Sequence, residues 1–197
     1  MVTIDELRLG DAPAAWEALG FRVDADACRI GAVTLRLEAG DGDGILGWSL
    51  RGASSAELDG LPTELSAADP APEPGPVEHP NGALQIDHVV VSSGNLGRTI
   101  ASLEAAGIGL RRLREDRPRR MAFFRLGEVI LEVVEGEEGS PARFWGLVVV
   151  VRDLDRLAAD LGERLGPAHE AVQPGRRIVS LRSGAGIGPA LAFMSPV

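Results

Sequence analysis

Two titratable side chains lie on strand faces that the sequence predicts to be otherwise apolar. His88 is in the run Ile-Asp-His-Val-Val-Val at 86–91, and Glu132 is in the segment 125–134. Side chains two apart on a strand share a face, and an unpaired charge among apolar neighbours is costly. Both groups therefore need a partner, and imidazole and carboxylate are suited to proton transfer, ligand contact or metal binding. Strict alternation predicts that His88 shares its face with Leu84, Ile86 and Val90, and that Glu132 shares its face with Ile130 and Val134.

Purely structural roles for these two residues stay open. His88 could be a core histidine with its hydrogen bonds satisfied, and Glu132 could form an ion pair with a nearby arginine such as Arg125. The other interpretations are a metal site and a direct contact with a bound ligand. His79 is either an ordinary linker histidine or a residue at the mouth of the site.

The elements that position these residues recur along the chain. A strand, a helix and further strands follow one another twice after residue 84, with Asn95 and Asp153 as predicted N-caps and Gly107 and Gly166 as predicted helix ends. A weaker copy at the start of the chain has Asp11 as its predicted cap. A truncated fourth copy begins near residue 45 and predicts a helix over 56–65.

The repeats and the proline pattern predict a division of the chain. Residues 1–66 form one or more degenerate N-terminal modules, and residues 67–83 form a stiff, proline-rich linker. Residues 84–197 form a domain of two modules, 84–136 and 143–197.

Composition excludes several classes of function. The formal net charge of −9 disfavours nucleic-acid binding, although residues 111–120 carry six arginines that form either a solvated hairpin or a contact with an anion or partner. The chain has no lysine and no tyrosine, which excludes Schiff-base and phosphate-loop chemistry. A single cysteine, an acidic start and short apolar runs predict a cytoplasmic protein without disulfides or membrane contact.

A β-α-β-β-β unit with a histidine on its first strand and a glutamate on its last resembles the vicinal oxygen chelate superfamily. Glyoxalase I, bleomycin-resistance proteins and extradiol dioxygenases belong to this superfamily. The resemblance is carried by residues 86–91, 103–107 and 123–134. It implies an α+β fold in which paired modules form a curved mixed sheet, with helices on the convex side and a ligand or metal on the concave side.

The same resemblance implies that His88 and Glu132 converge in one cup, as catalytic residues and as ligands of one divalent metal, either Zn, Ni, Fe or Mn; the alternative is no cofactor. The matching positions of the next module are Gly146 and approximately Ala192, and those of the first module are Glu6 and Arg36. The metal site is therefore incomplete. Small residues there predict an apolar hollow, with ligand contacts from Gly146, Ala192, Ile130 and Met194.

Three functions are consistent with this sequence. The first is a glyoxalase-like protein that binds a small molecule, and as an enzyme it would be a metal-dependent lyase, isomerase or epimerase. The second is a metal-free protein that sequesters its ligand, as bleomycin-resistance proteins do. The third is a non-catalytic scaffold. A homodimer is one way in which the N-terminal module could complete a second cup.

Overall fold

The structure, a computed structural model, describes residues 1–40, 44–67, 75, 77–116 and 118–197. The first half contains β1 Thr3–Leu9, α1 Pro13–Glu17, β2 Ala27–Ile30, β3 Val33–Leu37, β4 Ile45–Arg51 and β5 Thr63–Leu65. The second half contains β6 Ala83–Ser93, α2 Leu96–Ala105, β7 Leu110–Arg114, β8 Met121–Leu126, β9 Val129–Glu135, β10 Arg143–Val151, α3 Leu154–Leu161, β11 His169–Glu170, β12 Arg177–Ser180 and β13 Ala190–Met194.

Two mixed sheets share one pattern of strand pairing. The five-stranded sheet has the order β2-β3-β1-β4-β5, and the eight-stranded sheet has the order β11-β12-β13-β10-β6-β9-β8-β7. In both sheets the two central strands are antiparallel and each pairs in parallel with its outer neighbour. The predicted α+β class and the β-α-β-β-β order after residue 84 are confirmed. The division into domains at 1–66, 67–83 and 84–197 stays a prediction.

One hydrophobic core joins both sheets to the helices. The inward faces of both sheets belong to the same buried cluster as Trp16 of α1, Leu103 of α2 and Leu157 of α3. Aromatic contacts cross between the halves, with Trp48 edge-on to Phe144 at a centroid distance of 5.0 Å. We call the side of the eight-stranded sheet that faces away from this core the open face. Among the described residues, no helix is long and apolar enough to cross a membrane.

Bulges break the alternation of side chains in strands of both sheets. In β6, Ile86 and Val89 both lie in the core, so the two residues between them, Asp87 and His88, both lie on the open face. The prediction that Ile86 shares a face with His88 is therefore wrong. The same irregularity in β10 places Trp145 and Gly146 on the open face, between core residues of that strand.

Helix ends follow the predicted chemistry only in part. The side chains of Asn95 and Asp153 accept hydrogen bonds from backbone N–H groups of α2 and α3, as predicted. Asp11 makes no such cap, because its carboxylate accepts from the Trp16 indole at 3.0 Å and from Gly188 N at 2.7 Å. Helix α3 ends at Leu161 rather than at the predicted Gly166, because Gly162 has a φ of +53°.

The predicted helix over 56–65 is wrong. That stretch contains a bridge between Leu58 and Leu61 and then strand β5. Asp59 and Gly60 have φ values of +54° and +85°, and a proline follows at position 62. Left-handed residues and a proline turn the chain back on itself instead of continuing a helix.

The end of the proline-rich segment is fixed to the N-terminal half. Residues 68–74 and 76 of this segment lie outside the described residues, and residues 75 and 77–79 have neither helix nor strand. His79 is buried, with Nδ1 accepting from Arg22 N and Nε2 bonded to Arg29 O, both at 2.9 Å. It is therefore neither an exposed linker residue nor part of the cup.

Gly146 is small because β13 passes close to it. A Cβ at this position would overlap the carbonyl oxygen of its partner Ala190. The corresponding glycine of β4, Gly47, meets the same constraint, since a Cβ there would lie 2.9 Å from Pro62 O. The space beside Gly146 is therefore occupied by backbone and is not an open hollow.

Replacing Gly146 by alanine should destabilise the protein by about 1–3 kcal/mol, because the added methyl group forces β10 and β13 apart. Gly109→Ala is the matched control, since a Cβ at Gly109 would meet no atom within 4 Å. Urea unfolding of both variants measures the difference. Equal stabilities would show that the two strands do not approach as described.

The pH dependence of stability should carry a contribution from His79. Burial lowers the pKa of its imidazole below the ordinary value of 6.5, so below that pH the unfolded chain binds a proton that the folded chain does not bind. Stability should therefore fall as the pH decreases from about 6.5 towards the lowered pKa. Urea unfolding of wild type and His79→Gln between pH 7.5 and 5 tests this, because the variant should lose this part of the slope. An unchanged slope would contradict it.

Candidate functional site

Neighbouring strands bring His88 and Glu132 together on the open face. Strands β6 and β9 are parallel, with His88 opposite Ile130 and Val90 opposite Glu132. The two side chains approach each other along this diagonal, with His88 Nε2 3.7 Å from Glu132 Oε2. Their side chains are 15% and 16% exposed. Both are accessible from the open face while being largely withdrawn from water.

A separation of 3.7 Å is too long for a hydrogen bond between the two groups. The imidazole nitrogen and the carboxylate oxygen therefore lie side by side without saturating each other. A hydroxyl, carbonyl or water oxygen placed next to both atoms could be shared between them. This arrangement suits the recognition of one polar ligand atom.

A buried acid fixes the orientation of the His88 ring. Asp87 Oδ2 lies 2.9 Å from His88 Nδ1, and its other oxygen accepts from Arg176 Nη1 at 2.7 Å. Arg176 also donates to Ser195 O at 2.9 Å and contacts the side chain of Gln173. With the Nδ1 proton held by Asp87, a neutral His88 has its lone pair on Nε2, on the side of Glu132.

The pKa values of the two carboxyl groups of the site shift in opposite directions. Burial favours the neutral form of Asp87, but its hydrogen bonds with His88 and Arg176 outweigh burial and lower its pKa. Burial raises the pKa of Glu132, although the nearby charges of His88 and Arg114 oppose the change. Asp87 is the permanent anion behind the histidine, and Glu132 is the group that is easier to protonate.

An apolar surface adjoins the pair on the open face. Val148 lies directly opposite His88 on β10, and it packs with Ala192 and Met194 in a small cluster separate from the main core. On the other side of His88 lies Ile130. Three of the four predicted ligand-contact residues therefore border His88 or its apolar neighbour. Their role, and that of Gly146, stays a prediction.

Sequence reasoning missed two residues of this site and misjudged a third. Asp87 stands next to His88 in the sequence, but strict alternation assigned it to the core side. Arg176 lies 89 positions from Asp87, in a segment with only turn signals. Arg125, the arginine named as an example of an ion-pair partner for Glu132, donates to Gly127 O at 2.9 Å, and the arginine that acts on the pKa of Glu132 is Arg114.

The N-terminal sheet has an ion pair at the equivalent positions. Glu6 occupies the place of His88 in β1, and Arg36 occupies the place of Glu132 in β3. Arg36 Nη2 lies 3.1 Å from Glu6 Oε2, and Arg36 also pairs with Asp26 at 2.8 Å. The carboxylate and guanidinium neutralise each other, so these two positions do not offer the free polar pair that His88 and Glu132 form.

The donor set falls short of a tight divalent metal site. His88 and Glu132 supply one nitrogen and one carboxylate, and Asp87 is engaged by His88 and Arg176. No group of three or more histidine, cysteine, aspartate or glutamate side chains that could hold a metal occurs among the described residues. Protein zinc sites use three or four such ligands. The two donors therefore do not fit the metal that the resemblance implies.

No family model and no curated protein matches this sequence. Among solved structures, a triple mutant of 4-hydroxymandelate synthase from Streptomyces coelicolor has a TM-score of 0.64 at 16% identity, covering 98% of this chain and 92% of that one. A xylose isomerase-like TIM barrel/4-hydroxyphenylpyruvate dioxygenase fusion protein has a TM-score of 0.65 at 11% identity, covering 98% of this chain. This chain spans about half of that fusion protein, since 48% of it is covered.

Methylmalonyl-CoA epimerase from Mycobacterium tuberculosis is also similar, with a TM-score of 0.49 at 18% identity over 59% of this chain and 90% of that one. At these identities the likenesses describe the fold alone. The fold expected from the sequence resemblance is confirmed by the two structures that cover nearly the whole chain.

Removing Arg176 should destabilise the protein by about 3–5 kcal/mol, because Asp87 would be left buried without its cation. The neighbouring residue supplies the control: Arg177 pairs with Asp155 in solvent, and Arg177→Ala should cost less than about 1 kcal/mol. Chemical denaturation at pH 7 compares Arg176→Ala with Arg177→Ala. Equal losses would mean that the buried pair contributes no more than the exposed one.

Replacing Glu132 by glutamine should become more favourable as the pH rises. The pKa of Glu132 is higher in the folded chain than in the unfolded chain. The wild type therefore loses stability as the pH rises from the unfolded pKa through the folded pKa, whereas glutamine does not titrate. The difference in unfolding free energy between Glu132→Gln and wild type, measured from pH 4 to pH 8, tests this. A difference that is constant with pH would contradict it.

Proposed function

We propose that this chain, which has the fold of the vicinal oxygen chelate superfamily, binds a small organic molecule on the open face of its eight-stranded sheet. The observation that supports this most strongly is the pairing of His88 Nε2 with Glu132 Oε2 at 3.7 Å, at the edge of an apolar surface. Few polar groups placed precisely in an apolar site are typical of small-molecule binding.

Each part of the site has a role in this proposal. A hydroxyl or carbonyl group of the ligand lies next to His88 and Glu132, while its apolar part contacts Ile130, Ala192 and Met194. Asp87 and Arg176 act through His88 by fixing its ring and the position of its Nδ1 proton. The protein binds its ligand without a metal, as a sequestering protein of the bleomycin-resistance type would.

Metal content separates this proposal from a metal-dependent lyase, isomerase or epimerase. His88 and Glu132 would be the residues that contact Zn, Ni, Fe or Mn, and a histidine whose other nitrogen is held by a carboxylate is a common ligand arrangement. Elemental analysis of protein purified without chelators should find less than about one metal per ten chains. A stoichiometric metal that is lost in His88→Ala would contradict metal-free binding.

A second candidate function is favoured by the raised pKa of Glu132. In an isomerase, His88 Nε2 would take a proton from the carbon beside a carbonyl group while neutral Glu132 gives its proton to the carbonyl oxygen, producing an enol. If that carbon carries a hydroxyl group, the product is an enediol. His88 then gives its proton to the former carbonyl carbon while the second hydroxyl group of the enediol gives its proton to Glu132, so the carbonyl group moves to the neighbouring carbon. Atoms and charges balance without a cofactor, and Asp87 stabilises the imidazolium formed in between.

A thermal-shift screen over a metabolite library tests the binding function, because a ligand of the folded state raises the melting temperature. Compounds that stabilise the wild type should lose most of this shift in the double variant His88→Ala, Glu132→Ala. The matched control is Glu6→Ala, Arg36→Ala, at the equivalent positions of the other sheet. Shifts retained in the first variant and lost in the control would contradict the proposed site.

The same compounds separate binding from isomerisation. In deuterated water, an enol-forming enzyme exchanges the hydrogen beside the carbonyl group of its substrate for deuterium, which proton NMR detects. Exchange that disappears in Glu132→Gln supports the second function. Binding without exchange supports the first.

A further inference from the structure

Two arginines at the edge of the eight-stranded sheet lie on the open face. Strand β7 contains a bulge, and its residues Leu110 and Leu113 are paired with core residues of β8. The two residues between them, Arg111 and Arg112, therefore both lie on the opposite side of the sheet. The five-stranded sheet has no counterpart of β7 among its described strands.

A continuous row of side chains joins this edge to the candidate site. Arg112 pairs with Phe123 of β8, and Phe123 pairs with Glu132 of β9. Neighbouring strands lie about 4.8 Å apart, so the Arg112 backbone lies about 10 Å from that of Glu132. Phe123 is half-buried between them and presents an aromatic ring on the same face.

The charges of Arg111 and Arg112 are not matched within the described part of the chain. Both residues are exposed, and neither guanidinium group forms a hydrogen bond or an ion pair with a described residue. The contrast is with the five-stranded sheet, where Arg8, Arg36 and Arg51 all pair with carboxylates. This difference occurs in a chain with 29 acidic and 20 basic residues, so carboxylates are not scarce.

We propose that Arg111 and Arg112 bind an anionic group, a carboxylate or a phosphate, of the molecule that His88 and Glu132 contact. This inference rests on the proposed function and narrows its ligand class. The ligand is an organic anion whose charged end lies roughly 10 Å from its polar group at Glu132, with an apolar segment over Phe123 in between. Guanidinium groups bind both kinds of anion through paired N–H donors.

Two fluorescent probes that differ only in a charge test this inference. 8-Anilinonaphthalene-1-sulfonate carries an anionic sulfonate, and N-phenyl-1-naphthylamine is the same aromatic amine without it. Their dissociation constants are measured by fluorescence titration for three proteins. These are the wild type, the double variant that carries both Arg111→Gln and Arg112→Gln, and the single variant Phe123→Ala. The control Arg119→Gln removes another exposed charge from the same hairpin, outside the strands.

The double arginine variant should bind the sulfonate probe at least about tenfold more weakly than wild type, since charge-assisted hydrogen bonds are lost. Its affinity for the neutral probe and the affinities of Arg119→Gln should stay within about twofold. An equal effect of Arg119→Gln, or no effect of the double variant, would overturn the anion site.

The Phe123→Ala variant shows whether a negative result concerns the anion site alone or also the proposed function. It should weaken both probes, because both aromatic systems lie against this ring on the open face. If Phe123→Ala weakens both probes and the arginine variant changes neither, the open face binds ligands but the anion site is wrong. If Phe123→Ala affects neither probe, ligand binding on the open face and the anion site are both overturned.

Discussion

The arrangement of the site depends on a one-residue bulge in β6. Regular alternation would place Asp87 and His88 on opposite faces of the sheet. The bulge places both on the open face, where the acid hydrogen-bonds the histidine and is itself paired with Arg176. Without it, a carboxylate would point into the main core, or His88 would lack the partner that fixes its ring. The bulge thus makes this strand a support for an oriented imidazole.

The two sheets differ in how the charged side chains on their outward faces are paired. In the five-stranded sheet, Arg36 pairs with Glu6 and Arg51 pairs with Asp5, so the polar face is internally neutralised. In the eight-stranded sheet the equivalent positions hold a histidine and a glutamate that are close but not bonded, beside an apolar cluster. Partly desolvated groups that do not satisfy each other favour a ligand that satisfies both. The same strand pattern therefore forms a closed surface in one half and an available one in the other.

The repeat, the helix caps at Asn95 and Asp153 and the α+β class could be predicted, because they depend on local signals within a few residues. The convergence of His88 and Glu132 required the fold resemblance, since it depends on which strands become neighbours. Asp87 was missed because strict alternation of side chains along a strand does not predict a bulge. Arg176 was missed because its contact joins segments 89 positions apart, with no local signal in either.

The position of the His88 proton is decisive for the site, because the site depends on Asp87 holding Nδ1 and leaving Nε2 beside Glu132. Long-range proton–nitrogen NMR spectra of histidine-labelled protein, recorded with and without the sulfonate probe, report which nitrogen carries the proton. We expect a neutral His88 to be protonated at Nδ1, and we expect ligand binding to shift mainly the Nε2 resonance. A neutral ring protonated at Nε2, or a ligand that leaves both nitrogens unchanged, would contradict this arrangement.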